Sequence, residues 1–79
     1  MDEVIVYTSI GWGPCMATKS WLKRHKVEFE ERNVSENNDY HLSLLKMGYR
    51  VTPVTVIGEE KIVGFNPTKF EEALSAKGG

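Results

Sequence analysis

The sequence predicts an α/β domain in the order β-α-β-α-β-β-α, with a four-stranded mixed sheet flanked by three helices. Three observations carry this. Runs of β-branched and aromatic residues recur at strand length, and stretches of helical periodicity lie between them, bounded by Pro, Gly, Ser or Asn. The last two strand-like runs are separated by a turn too short for a helix. Parallel neighbours need a crossover and this final pair needs only a turn, so it is the one pair required to be antiparallel.

Val4-Ile5-Val6-Tyr7-Thr8 is an unbroken run of β-branched and aromatic residues, suited to a strand covered on both faces. Ser9 to Gly13 break it. Pro14 fits the first helical position, and Cys15, Thr18, Trp21, Leu22 and His25 then fall along one side of a helix. Lys19, Lys23, Arg24 and Lys26 lie off that stripe, where the later ones oppose the negative end of the helix dipole; an acidic partner is the alternative reading of this cluster. Val27-Glu28-Phe29-Glu30 alternates as an edge strand does, and Glu31 to Val34 lead toward a turn.

Ser35 is a plausible N-cap for a second helix reaching about Met47. Tyr40, Leu44, Leu45 and Met47 supply its apolar contacts, and Gly48 its left-handed end. Pro53 must open or edge the strand signal in Val54-Thr55-Val56-Ile57. A turn at Gly58-Glu59-Glu60 and the return Lys61-Ile62-Val63 form a hairpin. Asn66-Pro67 then gives an N-cap followed by proline at the first helical position. Phe65 and Phe70 are spaced for a hydrophobic staple, Phe70, Ala73 and Leu74 face inward, and Lys77-Gly78-Gly79 reads as a frayed end.

At 79 residues the whole chain, 1–79, is expected to form one small domain, for which folding buries only about 60% of the unfolded surface. The apolar fraction of 41% and charged fraction of 27% argue against disorder, and no apolar run approaches the roughly 20 residues a membrane span needs. Ten basic and eleven acidic residues give a net charge of −1, unlike a general nucleic-acid binder. The N-terminus passes from Met1-Asp2-Glu3 directly into strand-like residues, without the basic and apolar segments of a signal peptide. A single cysteine cannot form an intrachain disulfide. A cytoplasmic monomer that binds neither membrane nor nucleic acid is therefore expected. His25 and His41 are far apart and accompanied by one cysteine, so neither a metal site nor a cofactor is expected.

The stretch Gly11-Trp12-Gly13-Pro14-Cys15-Met16 sits where the first strand hands over to the first helix. The free N–H groups of a helix start favour an anion there, which makes Cys15 the first residue to consider for chemistry. The element order, Tyr7-Thr8, Gly13-Pro14-Cys15, Ala17-Thr18-Lys19, Gly48-Tyr49, Thr52-Pro53-Val54 and Gly64-Phe65 together resemble the thioredoxin superfamily over nearly the whole chain. Within it, the sequence is most similar to the small glutaredoxins and the glutaredoxin-like NrdH-type redoxins.

The resemblance implies a thioredoxin fold and a thiol–disulfide oxidoreductase, an electron carrier in which an exposed cysteine attacks a substrate disulfide and a second cysteine, three residues on, resolves the mixed disulfide. Counted from Tyr7-Thr8 and from Ala17-Thr18-Lys19, the attacking position falls on Trp12 and the resolving position on Cys15. An alternative alignment, with one cysteine deleted from a Trp-Cys-Gly-Pro-Cys motif, would shorten the loop by a residue, and the spacing to Tyr7 favours substitution. Exchange within one chain needs two thiols and this chain has one. Indole is neither an acid nor a nucleophile under these conditions, so Trp12 does not replace the missing group. Dithiol turnover is expected to be lost.

The resemblance also places Gly13, Pro14, Thr52 and Pro53 at the substrate site. It implies a cis Thr52-Pro53 bond that turns the Thr52 backbone outward, where family members pair it with an extended substrate. Cys15, as the resolving cysteine, is expected to be buried. Trp12, in a loop before a helix, is expected to be partly exposed and to form an apolar patch with Ile10, Met16 and Pro53. Many glutaredoxins hold glutathione with an acidic residue after the last strand. Here Gly64-Phe65-Asn66-Pro67 has no acid, as in NrdH-type redoxins, which take electrons from thioredoxin reductase and deliver them to ribonucleotide reductase. Three readings remain open: a redoxin without two-cysteine turnover, a redox-silent module that binds peptide or protein, and monothiol exchange through Cys15.

Overall fold

The computed structural model describes residues 3–78, and their side chains through residue 75. It contains β1 (Val4–Thr8), α1 (Gly13–Arg24), β2 (Glu30–Asn33), α2 (Asn38–Lys46), β3 (Val54–Ile57), β4 (Glu60–Val63) and α3 (Pro67–Gly78). The four strands form one mixed sheet in the order β2-β1-β3-β4, the expected thioredoxin-like architecture. The frayed end expected over Lys77-Gly78-Gly79 falls partly within α3; Gly79 lies outside the described residues.

The run Val4–Thr8 becomes a strand covered on both faces because its neighbours supply apolar side chains to each. Val4 and Val6 join Trp21 and Leu22 of α1, Ile57, Ile62, and Phe70 and Ala73 of α3 in one core layer. Tyr7 packs with Leu44 of α2 and Val54 in the other, with Ile5 and Val56 at its margin. The period-2 alternation of a central strand thus divides its residues between α1 and α3 on one side and α2 on the other.

Strand direction departs from the expectation in one place. β1 and β2 are parallel and β3 and β4 antiparallel, but β3 is also antiparallel to β1, with Tyr7 opposite Val54 and Val4 opposite Ile57. β3 thus begins beside the end of β1. The segment containing α2 brings the chain back to the end of the sheet that it left, and so is not a crossover.

Local boundaries shift for identifiable reasons. Val27–Phe29 lie outside β2, whose pairing starts at Ile5 opposite Glu30; Val27 and Phe29 instead pack against the larger core. Asn37, not Ser35, caps α2, its Oδ1 accepting from the Asp39 N–H at 2.9 Å. Ser35 is occupied elsewhere, accepting from the Ile10 N–H. Leu45 is exposed, and His25 lies beyond the buried stripe as the C-cap of α1, stacked on Trp21. Pro14 is the second helical residue, not the first, and is tolerated there because N–H groups throughout the first turn lack intrahelical partners. β4 starts at Glu60, so the hairpin turn is Gly58-Glu59 alone.

α3 opens as expected. Asn66 Oδ1 accepts from the Lys69 N–H at 3.2 Å, and the Phe65 and Phe70 rings meet edge to face 6.2 Å apart.

Candidate functional site

The site lies where β1 ends and β3 begins, adjacent points of the sheet because Tyr7 pairs with Val54. After Thr8 the chain passes through Gly11, whose φ of +72° is a conformation glycine adopts without a Cβ clash. It reaches Trp12 in extended backbone as the N-cap of α1. The Trp12 carbonyl accepts from the N–H groups of Cys15 at 3.1 Å and Met16 at 3.2 Å, which fixes the helix start, yet no side chain caps it. Gly13 is exposed and Pro14 half-buried. Cys15 is 1% exposed and lies with Thr18, Trp21 and Leu22 on the buried side of α1.

The facing loop carries the Thr52-Pro53 peptide bond, which is cis. Pro53 is buried, and its carbonyl accepts from the Gly64 N–H at 2.9 Å. Thr52 is tied to the first loop twice. Its carbonyl accepts from the Trp12 indole Nε1–H at 3.1 Å, and its hydroxyl lies 2.8 Å from that of Ser9. Across the same loop Ser35 Oγ accepts from the Ile10 N–H at 3.2 Å, and the Thr8 carbonyl from the Val34 N–H at 2.8 Å. The loop carrying Trp12 is therefore pinned from two sides.

Trp12 and Thr52 are thus in direct contact, with Gly13 and Pro14 beside Trp12 and Pro53 beside Thr52. The expected exposure of Trp12 (52%) and burial of Cys15 both hold. The expected apolar patch changes membership. Ile10 and Met16 are exposed, but Pro53 is buried just ahead of β3, and the exposed apolar residue on its loop is Val51, next to Thr52. Ser9 and Ser35 were not legible as site residues, since a hydroxyl in a loop carries no periodic signal and their partners are 43 and 25 residues away.

The charged residues nearby are structural. Glu31 Oε2 accepts from Lys19 Nζ at 2.9 Å and from the Thr8 hydroxyl at 2.8 Å. Partial burial pushes this carboxyl up, but the hydrogen bonds from Lys19 and Thr8 and the charges of Lys19 and Lys23 outweigh it, holding the group below its usual range. Lys19, one member of the basic cluster on α1, therefore has an internal acidic partner. Arg32 is held further toward its charged form by Glu30 and by the Tyr7 hydroxyl, which accepts from it. Among the described residues no group of three His, Cys, Asp or Glu side chains is placed to hold a metal ion, and no helix is long and apolar enough to cross a membrane.

Chemically the arrangement offers one enclosed thiol and, at Trp12, an exposed aromatic side chain bonded to a backbone carbonyl. Disulfide exchange requires a thiolate to reach a sulfur of the substrate, and Cys15 does not reach the surface. The surface around Trp12 and Thr52 is suited to contact with another chain.

Comparison with known proteins gives a consistent result. Residues 4–62 match the glutaredoxin family model. The glutaredoxin-like protein NrdH of Lactococcus lactis subsp. lactis is 30% identical over 67 residues, covering 85% of this chain and 93% of that protein. Among solved structures, the glutaredoxin-like NrdH-redoxin of Escherichia coli, described as having a thioredoxin-like activity profile, superposes with a TM-score of 0.82 at 27% identity, covering 89% of this chain and 92% of that one. The glutaredoxin of Archaeoglobus fulgidus superposes with a TM-score of 0.80 at 28% identity, covering 94% and 87%.

Proposed function

The chain belongs to the glutaredoxin family, and from that premise we propose that it is an NrdH-type redoxin that keeps a partner-binding surface but lacks two-thiol turnover. The family is one of thiol–disulfide oxidoreductases, whose cycle needs an attacking and a resolving thiol. The observation that carries the proposal is the first turn of α1. Trp12, which is not a nucleophile, occupies the N-cap, and the sole cysteine stands three residues on with 1% exposure. That burial disfavours monothiol exchange through Cys15 and favours the binding reading.

By family, the partners are ribonucleotide reductase as electron acceptor and a thioredoxin-reductase-type enzyme as reductant, in the cytoplasm, with the chain acting as a monomer. On this reading the chain contacts such partners through Trp12, Gly13, Pro14 and Thr52, with Pro53 buried next to Thr52, without passing electrons.

The test is reduction of insulin disulfides with thioredoxin reductase and its nicotinamide donor. The chain as it stands gives no catalysed reduction, and Trp12→Cys gains multiple turnovers. Catalysis by the unsubstituted chain overturns the proposal. Cys15 reacts with a thiol reagent only slowly in the native state and fully in denaturant, and rapid native reaction would restore the monothiol reading.

A further inference from the structure

The bond between Trp12 Nε1 and the Thr52 carbonyl has a consequence for binding at this site. A carbonyl just before a strand is an acceptor that an added strand would use, since pairing at a residue engages both its C=O and its N–H. Among the described residues, the Thr52 N–H has no hydrogen-bond partner, whereas the Thr52 C=O is taken by an indole from a loop 40 residues away in sequence. The Trp12 ring is 52% exposed, so it is not locked in place by burial. Ile10, Val51 and Phe65 are exposed, each at or next to a residue whose hydrogen bonds join the loops of the site, and Met16, in the first turn that follows Trp12, is exposed as well.

We propose that Trp12 is a self-occluding latch, its indole N–H standing where the backbone N–H of an incoming extended peptide would bind, so that strand pairing at Thr52 requires the indole to leave. This rests on the reading of the surface as a peptide- or protein-binding one. The latch sets a threshold for binding. A ligand must replace one hydrogen bond before it gains any, so only a segment that also covers the exposed apolar side chains binds well. The Ser9–Thr52 hydroxyl contact holds the loops in register when the indole swings out, so opening is confined to one side chain.

The probe is the extended peptide acetyl-Val-Thr-Val-Thr-Val-amide, titrated into the isotope-labelled chain and followed by the indole N–H resonances. Trp12→Phe keeps an aromatic ring and removes the donor. It binds the peptide roughly 2- to 10-fold more tightly than the unsubstituted chain, the range set by one net hydrogen bond. In the unsubstituted chain the Trp12 indole resonance moves on binding toward the position of a free indole, while that of Trp21 does not. Ser9→Ala, which frees the Thr52 hydroxyl and leaves the indole in place, does not tighten binding. Equal or weaker binding by Trp12→Phe, or equal tightening by Ser9→Ala, overturns the latch and leaves the binding surface standing. Failure of every variant to bind overturns both.

Discussion

Helices α1 and α2 flank the same sheet but are stabilised by opposite means. α2 follows the local rules at both ends. Asn37 caps its start and Asp39 sits in the first turn. At its end Gly48 has φ +94°, and the N–H groups of Gly48 and Tyr49 close back onto Leu45 and Leu44. α1 breaks these rules at both ends. Its N-cap is Trp12 with no side-chain acceptor and no acid follows in the first turn. Its end makes the same backbone closure, Lys26 and Val27 to Lys23 and Leu22, with Lys26 at φ +58° where α2 has glycine. Burial accounts for the difference. α1 buries Cys15, Thr18, Trp21 and Leu22, whereas α2 buries Leu44 alone. A helix held by tertiary packing does not need its caps, and the freed N-cap position can be given to a site residue.

The strongest way to break this contrast is to remove packing from α1. Leu22 is fully buried, so Leu22→Ala should lower unfolding stability by about 2–5 kcal/mol, a large fraction of what so small a domain holds. Urea unfolding followed by circular dichroism measures it, and a loss under about 1 kcal/mol would mean that packing is not what holds α1. Asn37→Ala makes the complementary cut on α2. It removes only the acceptor for the Asp39 N–H and should cost about 1 kcal/mol, with amide exchange accelerated in the first turn of α2 and unchanged in α1.

The same division between local and distant causes explains what was legible in the sequence. The strand of Val4–Thr8, the αL end at Gly48 and the start of α3 at Asn66-Pro67 with its Phe65–Phe70 staple are written in residues a few positions apart. The start of β2 was not legible at Val27, because β1 decides where pairing begins. Nor was the freedom of Ser35, whose hydroxyl is taken by a residue 25 positions back. At the site, Cys15 stood out by position and chemistry, and Trp12 by where the family resemblance puts an attacking cysteine. The indole bond to Thr52 could not, since nothing local to either loop brings together residues 40 apart.

A smaller change at the other end of α1 sharpens the comparison. Lys26 adopts a conformation that costs an L-residue roughly 1 kcal/mol, and its packing-held helix tolerates this. Lys26→Gly should relieve the steric cost but loosen the unfolded chain, for a net gain of up to about 0.5 kcal/mol. The midpoint of urea unfolding should rise with an unchanged slope. A fall would show that the Lys26 side chain contributes more than its backbone costs.

The smallest effect concerns a tertiary tie that α1 has in addition to its apolar face. Glu31 of β2 accepts from Lys19 of α1 and from Thr8 of β1, and its carboxyl is held below its ordinary value of 4.5 in the folded chain. A group whose folded pKa is depressed contributes stability that is fully present above its unfolded pKa and is lost as pH falls through the folded one. The stability difference between the unsubstituted chain and Glu31→Gln should therefore be constant from neutral pH down to about 5 and shrink below about 4.5. Because the pair is partly exposed, high salt should reduce it as well. Urea unfolding of both proteins across this range provides the check. A difference that persists unchanged at about pH 3 would place the contribution of Glu31 in its packing, and leave α1 held to the sheet by apolar contacts alone.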